Sequence, residues 1–196
     1  MATSTFTRNA GGSGRIVGTT SAVWATIHDA ATGTSTSIAG QIVTQLDLGN
    51  YDIFRYYCTF DTSTLGAGAV ISSAFLRLIA TGGTEEGAGT IVVVASTQAS
   101  STALDVADWN NTGTTDFGNL PFASWVNTNE TNNDITLNAS GIANINLTGY
   151  SKFGVVTELD RSNVAPSGLG QRQWNGATVL LSVTYTVPGG AFFLLF

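Results

Sequence analysis

The sequence predicts an all-β fold, an antiparallel β-sandwich of the jelly-roll kind with an extended N-terminal arm and an apolar C-terminal tail. Three observations lead there. Short segments with alternating apolar and polar residues recur along the 196 residues, and clusters of Gly, Ser, Thr and Asn separate them. Charged side chains make up only 10% of the chain while hydrophobic ones reach 43%, so a sizeable core can form beneath a surface made polar by hydroxyls. The length suits one large β domain. It divides into an arm over residues 1–15, a jelly-roll body over 16–187 and a tail over 188–196.

Residues 1–15 are polar, and Gly11-Gly12-Ser13-Gly14 reads as a flexible stretch, hence the arm. From Ile16 to Asp29 the apolar residues Val17, Val23, Trp24 and Ile27 are broken by small ones, which suits short irregular strands better than a helix. After the turn-prone residues 30–40, Gln41 to Leu48 sets Ile42, Thr44, Leu46 and Leu48 against Gln41, Val43, Gln45 and Asp47, a half-buried strand. Tyr51 to Phe60 places Phe54, Tyr56, Cys58 and Phe60 on one face. Residues 61–68 turn the chain into Val70 to Ala80, with Ala74, Leu76, Leu78 and Ala80 on one side and Phe75, Arg77 and Ile79 on the other. Gly82-Gly83 opens a loop holding Glu85 and Glu86, and Ile91 to Ala95 is a continuous apolar run fit for a central strand. Residues 100–133 form a polar excursion, functional or capping, without regular alternation.

Ile135 and Leu137 begin a further strand, and residues 138–146 make one helical turn with Ile142 and Ile145 inward. Lys152 to Leu159 and Ala177 to Val187 complete the set, the last with Val179, Leu181, Val183, Tyr185 and Val187 on one face. Phe60, Leu76, Leu78, Leu181, Val183 and Tyr185 are expected to meet in one core between two sheets.

The net charge is −6, and one lysine, Lys152, with six scattered arginines makes no basic patch to neutralise a phosphate backbone, which argues against nucleic-acid binding. No apolar run approaches the ~20 residues of a membrane span. Cys58 is the one cysteine, so no intrachain disulfide or multi-cysteine zinc site forms, and its alternation makes it a core residue. The single histidine, His28, lies far from it in sequence, and a Cys–His nucleophile pair lacks an identifiable third group. Residues 1–8 carry neither the basic nor the apolar region of a secretory signal, so synthesis in the cytoplasm is expected.

The order Phe60-Asp61-Thr62-Ser63-Thr64-Leu65, then Val70 through Leu78, then Leu180 through Thr186, resembles the DNRLRE-type jelly-roll domain over about residues 15–187. The middle, Thr115 to Trp125, Asp134 to Ile142 and Ser151 to Val155, looks like a subset found in uncultured tailed phages and environmental metagenomes. The resemblance implies a carbohydrate-binding-module-like jelly roll used on surfaces, in wall-associated proteins or in virion proteins. The motif that names the family is absent here, so no binding residue carries over.

Candidate chemistry is sparse. Asp105, Asp108, Asp134, Glu158 and Asp160 are dispersed, and capping of local turns accounts for most of them rather than paired acid–base work. Asp105, Asp108, Asp116 and Asp134 with nearby Asn and carbonyl oxygens are candidate calcium ligands, without EF-hand spacing. Trp109 and Trp125 are candidate glycan-stacking residues. As core plugs, they and Trp24 and Trp174 would send their indole N–H groups to carbonyls. After Pro188-Gly189-Gly190 comes an apolar run in which Phe192, Phe193, Leu194, Leu195 and Phe196 form a candidate assembly anchor. The expected function is non-enzymatic: a structural protein of a phage-like virion, made in the host cytoplasm, whose partners are copies of itself and other virion proteins. The rival expectation is a glycan-binding or adhesion module at the cell surface.

Overall fold

The computed structural model describes residues 1–83 and 85–188; the candidate anchor Phe192 to Phe196 lies outside them. In chain order the elements are β1 (Ala2–Thr7), β2 (Gly14–Val17), α1 (Trp24–His28), β3 (Ser35–Ser37), β4 (Gly40–Asp47), β5 (Asn50–Asp61), β6 (Val70–Ile79), β7 (Glu86–Gly87), β8 (Thr90–Ala95), β9 (Gly118–Pro121), β10 (Asn132–Thr136), α2 (Ala139–Ala143), β11 (Tyr150–Thr157), α3 (Glu158–Arg161), β12 (Gly170–Trp174) and β13 (Leu180–Thr186). Among the described residues a four-stranded sheet runs β1-β13-β6-β10, and a nine-stranded sheet has the path β7-β12-β4-β5-β11-β8-β9 with β2 and β3 added beside β5. Every strand pair is antiparallel, and the two sheets form the expected sandwich.

The main core lies between the sheets. Leu76, Leu78, Ile135, Leu181 and Val183 of the small sheet meet Tyr56, Cys58, Phe60, Phe153, Val155, Ile91 and Val93 of the large one. Of the six predicted core residues five are fully buried, and Tyr185 is half-buried at the margin of the same cluster. β5 and β8 are buried on both faces, because Ile53 and Tyr57 join Ile16, Ile27 and Trp109 in a second core outside the large sheet, and Val92 and Val94 pack with Val156 in a third. That explains why β8 reads as an unbroken apolar run.

Several expectations need correction. Residues 1–15 are no free arm. β-branched Thr3, Thr5 and Thr7 favour extension, Phe6 is buried opposite Leu181, and β1 becomes an edge strand of the small sheet. Gly11 and Gly12 serve close approach rather than flexibility, since a Cβ on either would collide with the carbonyl oxygens of Thr102 and Ser101. Residues 24–28 form a helical turn, α1, in place of an irregular strand, and it buries Ile27 against the outer face of the large sheet. Leu159 belongs to α3, not to the preceding strand, because Thr157 caps that turn through the Asp160 N–H. Val187 leaves the sheet and is exposed. The excursion over residues 100–133 contains β9 and two 3-10 turns, at Val106–Asn110 and Phe122–Ser124.

Leu48 is also misplaced by the alternation, since it sits at the tip of the β4–β5 hairpin, 94% exposed, with φ 47° followed by Gly49 at φ 83°. Two consecutive left-handed residues make a type I′ turn, which favours Asn over a γ-branched side chain at the first position. Leu48→Asn is therefore expected to stabilise the protein by about 0.5–1 kcal/mol, read as a rise in Tm of a few degrees.

Burial pushes the Cys58 thiol and the Tyr56 hydroxyl, between the sheets, and the Tyr57 hydroxyl, in the outer core, well above their ordinary values of 9.0 and 10.0. In the unfolded chain these groups ionise at those ordinary values while the folded chain still holds the protons, so their stabilising effect is complete below pH ~9 and is lost as the pH rises further. Urea unfolding at pH 10.5 should show about 2 kcal/mol less stability than at pH 7 from Cys58 alone. Cys58→Ala should flatten the onset of that loss; an unchanged profile would place the thiol in contact with water.

Candidate functional site

The strongest polar constellation lies on the outer face of the large sheet. Arg55 projects outward from β5 between Ile53 and Tyr57, beneath α1, α3 and the turn at Val106–Asn110. Its Nε and Nη2 donate to Asp160 Oδ2 and Oδ1 at 2.9 and 2.8 Å, a bidentate pair whose members are 4% and 2% exposed. Nη1 donates to the Trp109 carbonyl at 2.8 Å and to Asn110 Oδ1 at 3.0 Å, and Nη2 reaches the His28 carbonyl at 3.2 Å. The guanidinium stacks 4.2 Å from the Trp109 ring centroid, and the Tyr57 hydroxyl donates to the same Trp109 carbonyl at 2.7 Å. Burial works against the Arg55 charge, but the adjoining Asp160 carboxylate outweighs it and holds the guanidinium above its ordinary range.

His28 Nε2 lies 2.9 Å from the Asp160 carbonyl oxygen and Nδ1 lies 2.5 Å from Asp29 Oδ1, so both ring nitrogens face acceptors. A cleft of about 260 Å³ opens here, lined by His28, Asn110, Thr112, Thr114, Arg161 and Asn163 around the ion pair. Its ionic groups are engaged by one another. Arg161 grips Glu158 with two bonds and donates a third to the Thr114 carbonyl, and Asp160 receives both arms of Arg55. Chemically the arrangement ties β5, α1, α3 and the 106–110 turn together. Cys58 faces the opposite side of β5 from Arg55, within the inter-sheet core, so it and His28 are separated by the sheet.

The other candidate residues are dispersed. Asp105 accepts from the Ala107 N–H, and Asp108 is buried, accepting from the Ala99 and Asp105 N–H groups and from Asn111, a capping box for the turn. Asp116 holds the Gly118 N–H and Asn119, and Asp134 pairs with Arg77 across the outer face of the small sheet. The four candidate calcium ligands thus do not converge, and among the described residues no group of three or more His, Cys, Asp or Glu side chains is arranged to hold a metal ion.

The glycan-stacking expectation is corrected. Trp109 is completely buried with Arg55 over its ring, and Trp125, 7% exposed, packs 6.3 Å from Trp174 in the main core, so neither presents a face to a sugar. Their indole N–H groups find no partner among the described residues, whereas that of Trp24 donates to Asn163 Oδ1 at 2.7 Å.

Sequence reasoning passed over the Arg55–Asp160 pair and the end of the small sheet. An arginine inside a strand apolar on both faces, and the Thr157-x-x-Asp160 cap, were the available signals for the first. At the second, the register sets Ala2 opposite Tyr185 and Thr186 opposite Val70, and Met1, Val70 and Val187 at these strand ends are 89%, 58% and 61% exposed. An apolar trough of about 220 Å³ is lined by Ala69 and Ile71 at the start of β6 and by Ile142, Ala143, Ile145 and Leu147 in and after α2. No helix among the described residues is long and apolar enough to cross a membrane. Compared with protein-family models and with curated proteins, the chain finds no match.

Proposed function

We propose that this chain is a non-enzymatic structural protein of a phage-like particle, a capsid decoration, head or tail component that acts by assembling with copies of itself and with other particle proteins. The observation that carries the reading is the set of exposed apolar residues at the strand ends on one side of the small sheet, Met1, Val70 and Val187, with the apolar residues 191–196 a few positions further along the sequence. Isolated exposed apolar residues are ordinary, but a contiguous set marks a contact surface. The resemblance to a jelly-roll subset of tailed phages points the same way. The charged groups of the cleft are engaged by one another, and Trp109, Trp125 and Trp174 are buried, so neither feature offers a competing contact surface.

The energetics suit repeated weak contacts. Burying Phe192, Phe193, Leu194, Leu195 and Phe196 at about 1.5–3 kcal/mol each gives a gross gain on the order of 10 kcal/mol. Association and ordering consume about 4–15 kcal/mol, so one anchor holds weakly and many in a symmetric particle hold firmly. Truncation after Pro188 should leave a folded protein with an unchanged Tm that no longer co-sediments with its particle. Unchanged occupancy after truncation, or a freely exchanging monomer in the native source, defeats the reading.

A further inference from the structure

We infer that the open edge of β1 pairs antiparallel with the same edge of a second copy of this chain, joining two small sheets into one across a two-fold axis at Ser4. The inference rests on the assembly reading above and gives it a contact. Along a strand in an antiparallel ladder the backbone groups turn alternately to one side and the other. The Arg8 N–H donates to the Val179 carbonyl at 3.3 Å and continues the register of Thr7 with Leu180, so Ala2, Ser4 and Phe6 also turn their backbone groups toward β13. Thr3, Thr5 and Thr7 turn theirs the other way, as does Asn9, whose N–H reaches the Thr59 carbonyl at 2.7 Å. Among the described residues no strand stands beside Thr3 and Thr5 on that side. Such a row of unpaired donors and acceptors is a template for an added strand.

The other sheet edges carry features that discourage pairing. β7 and β3 have two and three residues, β9 ends in Pro121, and β10 carries Asp134, held by Arg77. β1 has six residues and no charge, proline or glycine. Its own sequence selects a second copy as the partner. With Ser4 on the axis, Thr3 stands opposite Thr5 of the second copy, and Phe6 opposite its Ala2. The open backbone groups of Thr3 and Thr5 then meet each other, hydroxyls lie together on the outer face, and Phe6 has a small apolar neighbour on the inner one. A hydroxyl pair of this kind already joins β1 to β13, where Thr3 Oγ1 lies 3.1 Å from Thr184 Oγ1. A groove of about 400 Å³ runs along the second half of the strand, lined by Ser4, Thr5, Phe6, Thr7, Asp61 and Thr64. The axis lays the small residues Ala2, Thr3 and Ser4 of the second copy along it, and each copy fills the other's groove in the same way, as a two-fold contact requires. At a net charge of −6 copies repel one another, and a charge-free seam sets no like charges opposite each other. A seam this short is smaller than an isolated stable dimer needs, which suits a contact repeated many times in a particle.

Disulfide trapping on the full chain tests this. Cys58 is fully buried and does not compete. On oxidation Ser4→Cys should form covalent dimers at least tenfold faster than Val23→Cys, placed on exposed surface away from β1. Thr3→Cys alone should not be trapped, because its two copies stand farther apart than the ~7 Å a disulfide spans, whereas Thr3→Cys mixed with Thr5→Cys should give dimers that neither gives alone. Adding Thr5→Pro removes a donor from the open edge and none from the β13 ladder, so Tm should stay within a few degrees while Ser4→Cys trapping falls at least tenfold. Trapping no faster than at Val23, or untouched by Thr5→Pro, overturns the pairing, and rapid trapping of Thr3→Cys with itself overturns the axis at Ser4. If the unaltered chain co-sediments with its particle while Ser4→Cys is not trapped, the edge assignment fails and the assembly reading stands. If the chain neither co-sediments nor is trapped, both fail. If Ser4→Cys is not trapped but Thr5→Pro abolishes co-sedimentation, the edge receives a strand of another particle protein and the second copy is excluded.

Discussion

Asp160→Ala should cost about 3–5 kcal/mol in urea unfolding, among the largest losses of any single substitution in this chain, because it leaves the Arg55 guanidinium buried without its carboxylate. The loss measures the stranded charge rather than the worth of the pair. Replacing both members together, Arg55→Met with Asp160→Leu, should therefore recover a substantial part of it, since the surroundings include Ile53, Tyr57, Trp109 and Val156. A single-variant loss below about 1 kcal/mol would mean that the pair behaves like a surface ion pair and that the cleft is wet to its floor.

Leu78→Ala should cost about 2–5 kcal/mol, while Val70→Ala on the same strand should stay within about 0.5 kcal/mol. Leu78 is fully buried between the sheets and faces the core beside Leu76; Val70 opens the strand with more than half of its surface in water. The contrast tests the orientation of β6 as well as the depth of the core. Equal losses at the two positions would contradict the alternation that sets Ala74, Leu76 and Leu78 inward.

The parts of the fold that alternation controls were legible in the sequence. β5, β6, β8 and β13 bury the residues their period-2 patterns mark, and the Asn138-capped turn α2 puts Ile145 inward as its spacing suggests. What stayed hidden depends on distant partners. Nothing local in Ala2–Thr7 announces that Leu181 will cover Phe6, and polar composition there reads as a loose arm. Leu48 continues the apolar rhythm of β4 but is displaced by a turn whose hand is set by Gly49. The candidate sites fared less well, because a tryptophan in a polar segment looks the same whether its ring is offered to a ligand or covered by an arginine 54 residues away. The trough is assembled from three separate stretches, around Ala69, around Ile142 and at Leu147, none apolar enough by itself to be noticed.

The pairing of β1 with β13 joins positions as far apart as Thr3 and Thr184, whose hydroxyl oxygens lie 3.1 Å from each other. A strand is thus completed by one that is translated far later, the paired threonines lying 181 positions apart. At about 5–20 residues per second, the ribosome needs on the order of ten seconds or more to deliver β13 after β1 has emerged, and the small sheet cannot close in that interval. Such long-range closure also places the chain among slow β folders. During synthesis Phe6 waits uncovered in a strand that carries no charged side chain, and the shortness of that strand is what limits its pairing with a neighbour on the same message.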